Sequence, residues 1–119
     1  MGIENFDNKQ FAFHCLNLLK NSGNLNSKTL NILTNAELCK KYFSASSNFA
    51  VLKKVQLNIS KDELKECCSV NGRLRYYQNL FIINSEAYVV TNHWYGPGKS
   101  MPDNRTPFLR WVENICSMQ

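Results

Sequence analysis

The sequence of 119 residues contains no apolar run that approaches the roughly 20 residues needed to span a bilayer. Its first residues, MGIENFDNKQ, lack the basic and apolar regions of a secretory signal, and Phe6 stands where N-myristoylation prefers Ser or Thr. No Cys-x-x-Cys or His-x-x-x-His pair is present, so the sequence predicts neither a metal site nor a cofactor. These absences predict a cytoplasmic protein without membrane contact.

The cysteines show no regular spacing, and their number, five, is odd. Cys15, Cys39 and Cys116 fall at apolar positions of predicted helices, where cysteine behaves as a small hydrophobic residue. The pattern therefore favours free thiols in a reducing compartment over a disulfide framework.

Arginine is absent from the first 72 residues, which carry nine lysines and six acidic residues. All four arginines lie in the remaining residues, at positions Arg73, Arg75, Arg105 and Arg110. A guanidinium suits phosphates and base edges better than an ammonium does, whereas lysine often serves only as a solvated surface charge. The net charge of +5 is thus open to two interpretations, a nucleic-acid-binding face or plain solubility.

A hydrophobic content of 44% and a charged content of 19% are typical of a globular protein, and the length predicts one domain over residues 1–119. Capping patterns predict several helices. The clearest is Asp7 with Gln10, and similar boxes begin at Thr34 and Ser60, while Thr106-Pro107 opens the last helix. The predicted helical ranges are 8–21, 28–33, 35–43, 49–55, 61–68 and the C-terminal segment from 107.

Residues Arg73 to Tyr95 read as a two-stranded antiparallel hairpin with its turn at Asn84-Ser85, because both runs are rich in aromatic and β-branched residues. A lone hairpin is marginal in water, so we expect the flanking helices to cover it, which makes the fold class α+β. Trp94 and Tyr76 are expected in the core.

The segment LTNAELCKKYFSASSNFAVLKKV resembles the helix-turn-helix of bacterial or phage DNA-binding domains, and the helices followed by a hairpin resemble a winged-helix layout. The resemblance implies a reader helix over 49–55 with Ser47 and Asn48 toward the bases. It also implies phosphate contacts by four lysines, at Lys40, Lys41, Lys53 and Lys54. Two helices of an ordinary helical subdomain are the alternative.

No catalytic constellation is evident. Gly98-Lys99-Ser100 echoes a phosphate-binding loop, but His93 stands where that motif needs glycine and Pro102 prevents the helix that must follow. The paired carboxylates of Asp62, Glu63 and Glu66 share one short, solvated helix. The sequence therefore predicts a protein that is not an enzyme.

Basic and aromatic residues alternate around the predicted hairpin and the loop that follows it. Such a surface neutralises phosphates and offers rings, which predicts a nucleic-acid-binding module, with double-stranded DNA as the expected partner. A protein-interaction module or inhibitor that docks an acidic partner through the same hairpin is the alternative. The hairpin residues expected to make contact are Arg73, Arg75, Tyr77, His93, Lys99 and Arg105.

Overall fold

The computed structural model describes residues 6–43, 50–99 and 101–117. Ten elements follow one another along the chain, five helices and five short strands within these ranges. Their order is α1 (Asn8–Asn21), α2 (Ser27–Leu33), α3 (Ala36–Phe43), β1 (Leu52–Val55), α4 (Lys61–Cys68), β2 (Ser69–Val70), β3 (Arg73–Leu74), β4 (Phe81–Ile83), β5 (Glu86–Val90) and α5 (Arg105–Ser117). The fold class α+β is confirmed.

Helix α1 begins as its capping pattern predicts. The Asp7 carboxylate accepts a hydrogen bond from the Gln10 backbone N–H at 2.8 Å, and the Gln10 side chain accepts one from the Asp7 N–H at 3.0 Å. The side chains of Asn26 and Ser60 cap α2 and α4 by accepting hydrogen bonds from the N–H groups of Thr29 and Glu63. Each side chain satisfies backbone donors that the first helical turn leaves without partners.

The predicted starts of α3 and α5 are wrong by one or two residues. Asn35, not Thr34, accepts the hydrogen bond from the Leu38 N–H, because the Thr34 hydroxyl donates to the Leu30 carbonyl instead. At α5 the Asp103 carboxylate accepts from the Thr106 N–H, so the helix begins before Pro107. Asn35 follows the predicted cap Thr34 by one position and Asp103 precedes the predicted cap Thr106, and each Asx side chain accepts a capping hydrogen bond instead.

The predicted reader helix over 49–55 is wrong, because residues 52–55 form the strand β1. This strand pairs antiparallel with β5 in the register Leu52↔Val90, and the Leu52 side chain is completely buried. Ladder bonds and core burial thus outweigh the helical propensity of a four-residue segment, which is weak alone. Ser47 and Asn48 lie outside the described residues.

The predicted single hairpin over 73–95 is interrupted in the structure. Its turn at Asn84-Ser85 is confirmed, with β4 pairing to β5 and both turn residues at positive φ (51° and 67°). Strand β3 pairs instead with β2 across a turn at Asn71-Gly72, and a lone bridge joins Tyr76 to Thr91. Between these pairings the segment Gln78-Asn79-Leu80 leaves the strand conformation. The alternation of apolar and polar residues in the sequence does not reveal this interruption.

The three-stranded sheet has the order β1-β5-β4, so β1 and β4 are its edges. One face packs in a core shared with α1, α3 and α5, where the rings of Phe11, Trp94 and Phe108 meet edge-on or tilted. The other face places Val89 against Cys68 and Tyr76. Trp94 and Tyr76 are 3% and 5% exposed, which confirms that they are core residues.

The five cysteines are free thiols, and Cys15, Cys39 and Cys68 are buried. Burial raises the pKa of Cys39 to about 11, so this group stays protonated at neutral pH. Among the described helices, none has the length and apolar character needed to cross a membrane.

Candidate nucleic-acid interface

A network of backbone bonds fixes the segment that carries Arg75. The Arg75 N–H donates to the Cys68 carbonyl at 2.8 Å, and the Arg75 carbonyl accepts from the Asn92 N–H at 3.0 Å and the Thr91 hydroxyl at 3.1 Å. The Asn92 amide also donates to the Leu74 carbonyl. Residues 74–75 are therefore anchored to 91–92 on one side and to the end of α4 on the other.

Arg75 and His93 are in contact, with 2.9 Å between the Arg75 Nη1 and the His93 Nε2. A guanidinium has donors and no acceptor, so Nε2 accepts and Nδ1 carries the hydrogen of the neutral ring. Burial, and to a smaller extent the Arg75 charge, lowers the pKa of His93 below its usual value. The cluster thus holds one permanent positive charge beside an imidazole that is neutral at pH 7.

Asn104, which is 4% exposed, positions the backbone on both sides of Trp94. Its Nδ2 donates to the His93 carbonyl at 2.9 Å and its Oδ1 accepts from the Tyr95 N–H at 2.7 Å. Because these bonds flank the buried Trp94, the rings of His93 and Tyr95 lie on the outside with centroids 6.3 Å apart. Asn104 therefore orients both rings from the start of α5.

Arg105 makes contacts within the protein that stabilise the fold. Its guanidinium donates to the Asn8 Oδ1 at 3.2 Å and to the Phe6 carbonyl at 3.0 Å, and it lies 4.5 Å above the centroid of the Phe11 ring. The Asn8 amide in turn donates to the Trp94 carbonyl. The geometry links the start of α1, the loop after β5 and the start of α5, so Arg105 has an internal function that the sequence did not predict.

A cleft of about 700 Å³ lies where these three segments meet. Exposed Lys99 and half-buried Tyr95 are on its wall, and Asp7, which caps α1, brings one carboxylate to it. The remaining lining is mostly apolar and includes Phe11, Trp94, Pro97 and Leu109. Tyr95 thus borders both the His93 ring and the cleft.

Tyr77 faces α1 and is half-buried. Its ring centroid is 6.1 Å from that of Phe13, and the Lys9 ammonium lies 5.7 Å above it. Burial raises the pKa of Tyr77 to about 12; Asp7 raises it further, and Arg105 opposes the shift. The ring is therefore largely committed to intramolecular packing.

The predicted lysine contacts are distributed over separate surfaces. Lys40 and Lys41 are exposed in the last turn of α3. Lys53 and Lys54 are successive residues of β1 and point to opposite sides of the sheet. The Lys53 ammonium donates to the Cys67 carbonyl, and the Lys54 ammonium forms a 2.8 Å ion pair with Glu86. Arg73, exposed in β3, is two positions from Arg75 in the chain.

Sequence reasoning missed Asn104 and Asn8 as positioning residues. Asp103-Asn104 directly before an apolar helical pattern is a capping signal, and it would have shown that the helix starts earlier. Asn8 has no comparable signal, since its partners are 86 and 97 positions away in the chain.

Within residues 6–43, 50–99 and 101–117, no group of three His, Cys, Asp or Glu side chains is arranged to hold a metal ion. The chain is thus an α+β protein with an arginine–histidine cluster beside a cleft. Comparison with models of protein families, with curated proteins and with solved structures gives no match.

Proposed function

We propose that the chain binds double-stranded DNA through a strip formed by Arg73, Arg75, His93, Tyr95 and Lys99, called here the basic strip. Its members are connected pairwise. Arg73 and Arg75 share a side of the extended backbone, Arg75 contacts His93, His93 contacts Tyr95, and Tyr95 lines the same cleft as Lys99. This continuity between two sequence segments is the observation that carries the proposal.

The local charge balance supports an anionic partner. Between positions 67 and 102 the sequence has one acidic residue, Glu86, and that carboxylate is paired with Lys54. Guanidinium and ammonium groups in such a region attract the phosphate backbone, which supplies most of the sequence-independent affinity for DNA.

The burial of the rings favours a duplex over a single strand. Proteins that bind single strands stack successive bases on exposed aromatic side chains. Tyr77 packs on α1, and Tyr95 is half-buried beside His93. Arg73 and Lys99 are exposed, whereas Arg75 is half-buried as the rings are. Contacts of the two exposed cations with phosphates are therefore the interaction that the strip offers.

The proposed layout is winged-helix-like, with the β4–β5 hairpin and the loop after it in the position of a wing. Because residues 52–55 are a strand, the proposal assigns DNA contact to the basic strip and no longer to a reader helix. Lys53 and Lys54 are correspondingly left out of the strip.

The test is fluorescence anisotropy of a labelled mixed-sequence duplex at low salt. Arg73→Ala and Lys99→Ala should each weaken binding several-fold, because each removes one exposed charge from the strip. Lys28→Ala, an exposed lysine of α2 that is outside the strip, is the matched control and should bind as the wild type does. Equal losses in all three variants would show dependence on net charge alone and would contradict the proposal.

A further inference from the structure

The turn between β2 and β3 contains Asn71-Gly72, which is the one Asn-Gly pair in the sequence. Both residues are exposed and have positive φ, 53° and 79°. A two-residue hairpin turn closes through the residues that flank it, here Val70 and Arg73, and does not use the N–H of its second central residue. Among the described residues, accordingly, neither the Gly72 N–H nor the Asn71 side chain has a hydrogen-bond partner.

An asparagine that precedes a glycine can react with its own main chain. The Gly72 nitrogen attacks the Asn71 Cγ and closes a five-membered succinimide, and the side-chain nitrogen leaves as ammonia with the proton of the Gly72 N–H. Water then adds to one of the two ring carbonyls and breaks its bond to nitrogen. Opening at Cγ gives aspartate, whereas opening at the backbone carbonyl gives isoaspartate, in which the main chain runs through the side chain. The reaction needs water and no oxidant or cofactor.

Two features of this turn favour the reaction. Gly72 has no Cβ beside the attacking nitrogen, so the nitrogen is sterically accessible. The β2–β3 ladder has only two residue pairs, and a ladder this short needs little free energy to open locally. Each opening allows the Asn71 backbone to rotate until its Cγ reaches the Gly72 nitrogen.

The β4–β5 turn provides a comparison within the same protein. Asn84 is exposed and has a φ of 51°, close to that of Asn71. Ser85 follows it, however, and the serine side chain shields the backbone nitrogen. The β4–β5 ladder has three residue pairs, and β5 is also paired with β1 on its other side. Of these two asparagine turns, the first alone combines an accessible nitrogen with a short ladder.

We propose that Asn71 is a site of spontaneous deamidation, and that the reaction lowers the affinity of the basic strip for DNA. The product carries a carboxylate two positions from Arg73, an exposed cation of the strip, and a negative charge there opposes the attraction of phosphates. Isoaspartate also adds one main-chain atom to the turn that leads into Arg73. The modification itself is independent of DNA binding, whereas its effect on affinity rests on the function proposed above.

Mass spectrometry tests the modification. The folded protein is incubated for several days at mildly alkaline pH and digested with trypsin, which releases Asn71 in the peptide 66–73 and Asn84 in the peptide 76–99. The first peptide should gain the mass difference between a hydroxyl and an amino group and should separate into aspartate and isoaspartate forms. Asn84 should react several-fold more slowly. No mass gain at Asn71, or equal rates at the two asparagines, would overturn the proposal.

Gly72→Ser tests whether the Gly72 nitrogen is the attacking group. Ser85 occupies the equivalent turn position at a φ of 67°, so a serine is compatible with this geometry. The variant should deamidate at Asn71 several-fold more slowly than the wild type, and an unchanged rate would contradict the proposal. Gly23→Ser is the matched control, because it makes the same exchange at a φ of 76° where no asparagine precedes. If Gly72→Ser does not fold, the comparison of Asn71 with Asn84 in the wild type still decides the question.

Duplex anisotropy tests the effect on the basic strip. Asn71→Asp, which creates the aspartate product directly, should bind the labelled duplex several-fold more weakly than the wild type. Asn31→Asp makes the same charge change at an exposed position of α2 and should bind as the wild type does. Equal affinities of the two variants would overturn the effect on the strip. A wild type that does not bind the duplex would contradict DNA binding and this effect together, whereas the mass change at Asn71 is decided independently.

Discussion

Asn104 is outside the basic strip, but it positions two residues of the strip, His93 and Tyr95. Its side chain uses one donor and one acceptor to hold the backbone before and after Trp94. The orientation of two rings therefore depends on one buried amide.

Asn104→Ala should lower the free energy of unfolding by about 2 kcal/mol, since it removes two hydrogen bonds and leaves buried groups without partners. Urea unfolding followed by circular dichroism measures this difference. Asn31→Ala, at an exposed position of α2, should change stability by less than about 0.5 kcal/mol and serves as the control. An unchanged urea midpoint in Asn104→Ala would contradict the positioning function.

His93 makes stability depend on pH. Its folded-state pKa is lowered, so the unfolded chain binds more protons than the folded chain as the pH approaches the unfolded pKa of about 6.5. The stabilisation is complete above this pKa and is lost as the pH falls through about 6.5 toward the lower folded value. Protonation also removes the acceptor that Arg75 uses.

We therefore expect the free energy of unfolding to decrease between about pH 7.5 and pH 5.5, and His93→Gln to show a smaller decrease over the same range. Urea titrations at a series of pH values measure both slopes. A wild-type stability that increases on acidification in this range, or identical slopes in the two proteins, would show that His93 is not the titrating group.

At the scale of elements, the β4–β5 turn carries strain that a substitution can relieve. Asn84 and Ser85 both have positive φ, as the type I′ turns of two-residue hairpins require. Asparagine tolerates this region, but serine does so less readily, and glycine adopts it without steric cost.

Ser85→Gly should raise the free energy of unfolding by roughly 0.5 kcal/mol, the relief of backbone strain being partly offset by the greater entropy of unfolded glycine. Thermal or urea unfolding measures the change. Ser85→Ala is the control and should not be stabilised, because alanine has the same steric penalty at this φ as serine. Destabilisation by Ser85→Gly would mean that the serine side chain contributes more than the turn geometry costs.

The elements that the sequence predicted well are those whose signals are local. Asp7 with Gln10 and Ser60 with Glu63 mark helix starts within four residues, and Asn84-Ser85 marks its turn in two. Residues 52–55 were misassigned because their conformation depends on pairing with β5, which lies more than 30 positions away in the chain. No local propensity encodes that partner.

The same difference between local and long-range signals applies to the candidate nucleic-acid interface. Arg75 and His93 could be proposed from their place on the predicted hairpin, and the structure brings them into contact. The internal function of Arg105 could not be predicted, since it depends on contacts with Phe6, Asn8 and Phe11 at the opposite end of the chain.

For the whole molecule, the arrangement of charge matters more than the net value of +5. The lysines occupy several surfaces, and α4 carries two lysines and three acidic residues, so it contributes little net field. The basic strip, by contrast, combines Arg73, Arg75 and Lys99 within one connected surface. If it binds DNA, the binding should involve few phosphates and remain strongly dependent on salt.

The most direct test of this account is the salt dependence of duplex affinity for the wild type and Arg73→Ala. Three cations that neutralise about three phosphates predict a slope of log affinity against log salt near −3, and the variant should lose about one unit of slope. Lys28→Ala should keep the wild-type slope. A wild-type slope near zero, or no binding to the duplex at low salt, would contradict the proposal that the basic strip binds DNA.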